Sequence, residues 1–176
     1  MESSPVDYAP NAVVTFTANP SVDKTIVLAD ALARGEVQRA ESADEQAAGK
    51  GVNVARVVAA SGVPALAVLP FTDAVFVTKL DADLPAGMTV RAARAEFRAR
   101  TNTTLTEPSG VTTKINEPGP RLDAAALEAA SAGLVDAARG AQWVALSRSL
   151  PPGAPTDWYA RLVAQLVGGL GVLGQV

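Results

Sequence analysis

Neither cysteine nor histidine occurs among the 176 residues. Without thiols there is no disulfide framework and no thiolate metal site, and without imidazole the Ser-His and Cys-His routes to nucleophilic catalysis are closed. Zinc chemistry is left with almost no ligands. An excess of one charge is also lacking: 15 Lys and Arg stand against 18 Asp and Glu, a formal net charge of −3, and the two signs are intermingled. No electrostatic footprint for nucleic acid or anionic lipid results, so small molecules are the expected partners, with no nucleic acid and no membrane. No long hydrophobic run compensates. The most apolar late segment, Leu162 to Val176, is interrupted by Gln165, Gly168, Gly169, Gly171 and Gly174 and falls short of the ~20 residues a membrane span needs. The first residues, Met1-Glu2-Ser3-Ser4-Pro5, have neither the cationic nor the apolar stretch of a secretory signal, which makes a cytoplasmic location the expectation.

What is present is a chain long enough for one ordinary domain, with 48% hydrophobic residues to build its core. Ala12 to Phe16 is a β-branched and aromatic run that predicts a buried strand, ended abruptly by Thr17-Ala18-Asn19-Pro20. Thr25 to Leu28 and Gly35 to Gln38 give two further short strand signals in polar surroundings, as in a small flap exposed on one face. Val54, Val57 and Val58 recur at helical spacing between Gly51 and a C-cap signal at Gly62, and Ala65 to Leu69 is a second core strand. A strand, a helix and a strand in this order argue for a parallel α/β sheet.

Between Thr72 and Arg98 the apolar residues keep no clean period, and no element is assigned. Thr101 to Thr106 and Val111 to Ile115 flank the turn Glu107-Pro108-Ser109-Gly110 and predict a hairpin. Asp123 caps a helix that runs to about Arg139, Gln142 to Leu146 is a third core strand, and Thr156 opens a helix carrying Trp158, Leu162 and Leu166.

Four segments can carry chemistry. Gly49-Lys50-Gly51-Val52-Asn53 places a glycine-flanked lysine at a helix start, where free amides, the helix dipole and the ammonium all favour an anion. It is not a nucleotide-binding P-loop, because the first glycine of that pattern is absent and Val52 stands where a hydroxyl would hold magnesium. Phosphate or sugar binding and an ordinary glycine-rich helix start are both open readings. Asn19-Pro20-Ser21-Val22-Asp23 lies just past a core strand, at the crevice where open α/β sheets bind ligands. Asp23 could accept hydrogen bonds from sugar hydroxyls, or Asn19 and Asp23 could simply organise a turn. Arg100-Thr101-Asn102 and Lys114-Ile115-Asn116 put two cations and two amides on paired strands, as a phosphate grip or as charges that keep a hairpin soluble. Ser147-Arg148-Ser149-Leu150-Pro151-Pro152-Gly153 opens onto the same sheet edge as Asn19, or is a plain proline-rich loop.

Taken in order, Asn19 to Asp23, Gly49 to Asn53, Arg100 to Asn102, Thr113-Lys114-Ile115-Asn116-Glu117-Pro118-Gly119 and Ser149 to Gly153 resemble the motifs of ribokinase-like carbohydrate kinases of the phosphofructokinase B type, and most of all their 1-phosphofructokinase branch. The resemblance runs from about Val13 to Leu166. It implies a three-layer α/β/α sandwich with a small β lid, truncated in its C-terminal half: residues 1–11 form an N-terminal tail and residues 12–176 an incomplete domain, with lid strands near 25–38 and 99–116. It implies that Asp23 holds sugar hydroxyls, that Gly49, Lys50 and Asn53 bind substrate in the glycine-rich loop, and that Arg100, Asn102 and Lys114 reach in from the lid.

The reaction so implied is ATP- and Mg2+-dependent phosphorylation of a sugar phosphate, fructose 1-phosphate to fructose 1,6-bisphosphate. The family's base is an aspartate in a Gly-x-Gly-Asp motif that the 176 residues do not contain. No catalytic residue, metal ligand or nucleotide-donor site is therefore expected here, and the chain should bind a sugar phosphate while being inactive alone. A non-catalytic sugar-phosphate-binding module and a tagatose-6-phosphate specificity are the alternatives, and a homodimer through the lid is the expected assembly. The sequence departs from the family at Ala48 and Arg148, where glycines are usual, and at Phe71-Thr72-Asp73, where a glycine pair is usual. Half a sheet should also leave an unpaired strand and an uncovered apolar face.

Overall fold

The computed structural model describes residues 12–147 and 149–170. The expectations for the tail 1–11, for Arg148 and for the glycine-rich end 171–176 lie outside the described residues. In chain order the elements are β1 (Val13–Thr17), β2 (Ser21–Leu28), β3 (Ala40–Ala48), α1 (Lys50–Ala60), β4 (Ala65–Leu69), α2 (Ala74–Asp81), β5 (Met88–Ala92), β6 (Arg100–Thr106), β7 (Thr112–Asn116), α3 (Ala124–Ala137), β8 (Trp143–Ser147) and α4 (Trp158–Leu170).

Two four-stranded sheets result. The core sheet has the order β5-β4-β1-β8, and every pair in it is parallel. Its central strands, β4 throughout and β1 apart from the buried Thr15 and Thr17, are apolar because both faces are covered. Val14, Phe16, Leu66 and Val68 point to one side, against Leu134 of α3 and Trp158 and Leu162 of α4. Ala65, Ala67 and Leu69 point to the other, against Val52 and Ala55 of α1 and Phe76 and Leu80 of α2. This is the three-layer α/β/α arrangement, and Phe16 anchors one layer by meeting Trp158 edge-on, with ring centroids 5.5 Å apart. The second sheet, β3-β2-β6-β7, is the lid: β2 and β6 are parallel and the flanking pairs antiparallel.

Caps fix where the helices begin. The Asp73 carboxylate accepts from the amides of Val75 and Phe76 at 2.9 and 3.1 Å. Asp123 accepts from Ala126 at 2.8 Å, as its sequence position predicts. α1 has no side-chain cap from its own N-cap residue, Gly49. The hydroxyl of Thr17, at the end of β1, accepts instead from the Val52 amide at 2.9 Å, so α1 is seated directly on the carboxyl end of the first core strand.

Three expectations are corrected. Gly35 to Gln38 is not a strand: Gly35 turns the chain at φ 83°, and the Gln38 side chain folds back onto Ala31 and Ala33. The strand is Ala40–Ala48, whose exposed run of Glu41, Ser42, Asp44, Glu45 and Gln46 carries little β signal and is held by pairing with β2. The strand expected from Thr25 begins at Ser21, which brings Asp23 into a sheet rather than a loop. The unassigned stretch from Thr72 to Arg98 holds α2 and β5, an eight-residue helix and a five-residue edge strand too short for their periods to stand out. In place of the family's glycine pair, Phe71 is buried against Phe97 and Asp73 is the α2 cap.

Candidate functional site

The lid register decides which side chains meet. Asp23 is paired with Asn102, Asn102 with Asn116, Ser21 with Arg100, and Thr104 with Lys114. Residues opposite one another, and those two apart along a strand, project from the same face. Asp23, Arg100, Asn102, Asn116 and Lys114 therefore share one face of the lid. Asn102 Nδ2 donates to Asp23 Oδ1 at 3.0 Å, and Ser21 Oγ donates to the same oxygen at 2.9 Å. Arg100 is half-buried at the lid base, where its Nη1 donates to the Glu117 carbonyl at 3.4 Å. Lys114 is exposed one step farther out.

Burial pushes the Arg100 pKa below the usual arginine value, and the charge of Asp23 works against that shift. Arg100 Nε and Asn102 Oδ1 are both buried without a hydrogen-bond partner. Such unused donors and acceptors are costly inside a protein and are common where a ligand binds.

The glycine-rich segment approaches the lid base from the core sheet. A Cβ on Gly49 would lie 3.5 Å from Pro20 Cα, so the start of α1 abuts the crossing from β1 to β2. Lys50 and Asn53 are exposed on the first turn of α1, and Asn53 Oδ1 accepts from Arg56 at 3.5 Å. No intrahelical carbonyl serves the amides of a first turn. Thr17 takes one of them and the remainder sit at the positive end of the helix. The loop after β8 reaches the same edge, since Leu150 O accepts from Asn19 Nδ2 at 3.5 Å. In it Ser149 takes φ 74°, a left-handed conformation rare for a residue with a side chain.

The described contacts thus join Asp23, Asn102 and Arg100 directly, with Lys114 on the same face and with Gly49, Lys50 and Asn53 beginning a helix packed against the lid base. Two contributors escape local reading. Thr17 caps α1 from 35 positions away. Glu117, whose Oε2 accepts from the Thr101 amide at 2.8 Å, braces the base of β6; the only sequence signal for it is its place in the motif from Thr113 to Gly119.

Among the described residues no group of three or more acidic side chains is placed to hold a metal ion, and no helix is long and apolar enough to cross a membrane. A 390 Å3 hollow is lined by Thr72, Asp73, Glu96 and Arg98, none of which is among the residues that share the lid face. Its Asp73 carboxylate is already committed to the amides of Val75, Phe76 and Ala99.

No family model matches the chain. It is 41% identical over 155 residues to the 1-phosphofructokinase of Xanthomonas campestris pv. campestris, a match that takes in 86% of this chain and 48% of the relative. It is 33% identical over 160 residues to the 1-phosphofructokinase of Rhodobacter capsulatus, again with 86% and 48% covered. The tetrameric inhibited form of phosphofructokinase-2 from Escherichia coli matches its structure with a TM-score of 0.77 at 25% identity, over 91% of this chain and 53% of that one. The chain spans about half the length of the curated relatives it matches.

Proposed function

Because the chain belongs to the ribokinase-like carbohydrate kinases of the phosphofructokinase B type, we propose that it binds a sugar phosphate, fructose 1-phosphate, between the inner face of its lid and the first turn of α1. The observation that carries this reading is the cluster in which Asn102 holds Asp23 at 3.0 Å beside the half-buried Arg100. Asp23 keeps a second carboxylate oxygen for sugar hydroxyls. Arg100 and Lys114 supply positive charge, and the α1 amides with Lys50 supply an anion seat at the other end. Asn53 lies one turn along from Lys50 and adds a neutral donor and acceptor. Pairing of two lids, each with an exposed strand at either side, belongs to the same reading.

ATP is the phosphoryl donor that the family resemblance implies, with Mg2+ as its metal. The residues present do not fit a donor site: the Gly-x-Gly-Asp motif is not in these 176 residues and the described acidic side chains do not cluster. Phosphoryl transfer needs metal-bridged phosphates and a group that orients the nucleophile, so this chain holds and orients the acceptor and performs no transfer by itself.

Calorimetric titration with fructose 1-phosphate tests the proposal. Saturable heat that is lost in Asp23→Ala and Arg100→Ala is expected, and absence of heat at millimolar ligand contradicts it. Tagatose 6-phosphate in competition reads the sugar preference. A coupled assay with fructose 1-phosphate and ATP should show no turnover, and robust turnover by the purified chain overturns the acceptor-only reading.

A further inference from the structure

Asn19 sits at the crossing from β1 to β2 with 4% of its surface exposed. An asparagine that merely shapes a turn bonds its own backbone about two residues on. Asn19 does something else: its Nδ2 donates to Pro118 O at 3.0 Å and to Leu150 O at 3.5 Å, across 99 and 131 residues of sequence. Pro118 belongs to the return from β7 to α3, and Leu150 to the loop after β8. One carboxamide therefore ties together a crossing into the lid, a crossing out of it, and the loop at the carboxyl edge of the core sheet.

The chain opposite is shaped to receive it. Gly119 takes φ 92°, and a Cβ there would fall on Asn19 Oδ1 and 3.1 Å from Asn19 Cγ. Asn19 Oδ1 is buried without a hydrogen-bond partner, which is costly inside a protein. Turn formation alone does not require that cost. From this tie the backbone runs through Pro20, which abuts Gly49, into the strand that carries Asp23.

We propose that Asn19 is a positioning residue, which fixes the lid base so that Asp23 and Arg100 stand at a set height over the first turn of α1. The inference rests on the sugar-phosphate site proposed above. Asn19 itself touches no substrate in this account. It acts through Asp23, by holding two crossings of the lid to one core loop.

The test uses Asn19→Asp, which keeps the shape and removes both donors, with Asn19→Ser as the second variant should the charge prevent folding. Two quantities are read well below the unfolding temperature: the Kd for fructose 1-phosphate, and amide hydrogen exchange strand by strand. Expected are a Kd raised about tenfold or more and faster exchange in β6 and β7, with exchange in β1 and β4 unchanged. A merely structural asparagine would lower the unfolding midpoint and speed exchange in core and lid alike, leaving Kd of the folded protein unaltered; that result overturns the inference, as does a folded variant that matches the unmodified chain in both readings. If the unmodified chain binds no fructose 1-phosphate, the binding reading fails by itself, and selective lid exchange still decides the role of Asn19.

Discussion

At Gly51 a methyl group would stand 2.9 Å from both C and O of Phe16 and against the Thr17 hydroxyl. Gly51→Ala must therefore lift the start of α1 off β1 or break the bond from Val52 to Thr17, and a destabilisation of about 1–3 kcal/mol is expected from overpacking of this kind. Urea denaturation measures it. Thr17→Val removes the acceptor and leaves the Val52 amide unpaired, at a cost of about 1–3 kcal/mol. The glycines around Lys50 are legible in sequence as a helix start suited to an anion, but the packing that makes Gly51 a glycine is not, because Phe16 and Thr17 lie some 35 positions earlier. The same holds for Asn19. Its residue type suggests a turn, and only the folded chain brings Pro118 and Leu150 to its amide.

Between elements, the lid is bolted to the body along β3. Glu45 bridges Lys24 of β2 and Lys79 of α2, both at 3.0 Å, and Gln46 donates to Asp83 at 2.8 Å. Hydrogen bonding to Lys79, and then to Lys24, holds the Glu45 pKa below the ordinary glutamate value. A depressed carboxylate contributes stability that is fully present above its unfolded-state pKa and is lost as the pH falls through the lower folded one. Lid strands should thus lose amide protection, relative to the exchange of an unfolded chain at the same pH, only below the ordinary glutamate range, and Glu45→Gln should remove that loss. The bridge is exposed, so salt should weaken it as well.

On the opposite layer, Trp158 packs on Phe16 and its Nε1 donates to Ser131 Oγ at 3.0 Å. Trp158→Ala should cost about 3–5 kcal/mol, read by the unfolding midpoint. The core strands, α1, α3 and the β6–β7 hairpin could be read from sequence because each carries its own period or cap. The strand β3 could not, since its exposed polar residues owe their conformation to β2, and the short α2 and β5 gave too few residues for a period to emerge.

At the scale of the molecule, β8 is an edge strand of the parallel core sheet among the described residues. Val144 and Leu146 are covered from the α3 and α4 side, whereas Trp143, which is in register with Val13 and projects to the other side, is 68% exposed. An open edge beside an uncovered indole favours association, so light scattering at rising concentration should show oligomers that Trp143→Lys reduces. The sequence motifs outlined the fold family and its lid without giving the geometry of the site, because the shared lid face depends on strand register, which no single motif encodes.

That shared face is most directly tested by amide chemical shifts in the chain titrated with fructose 1-phosphate. Saturable shifts, with one common affinity, are expected at Asp23, Arg100 and Asn102 on the lid and at Lys50 and Gly51 on α1. Shifts confined to one of these two groups, or centred elsewhere on the molecule, would contradict the proposed site.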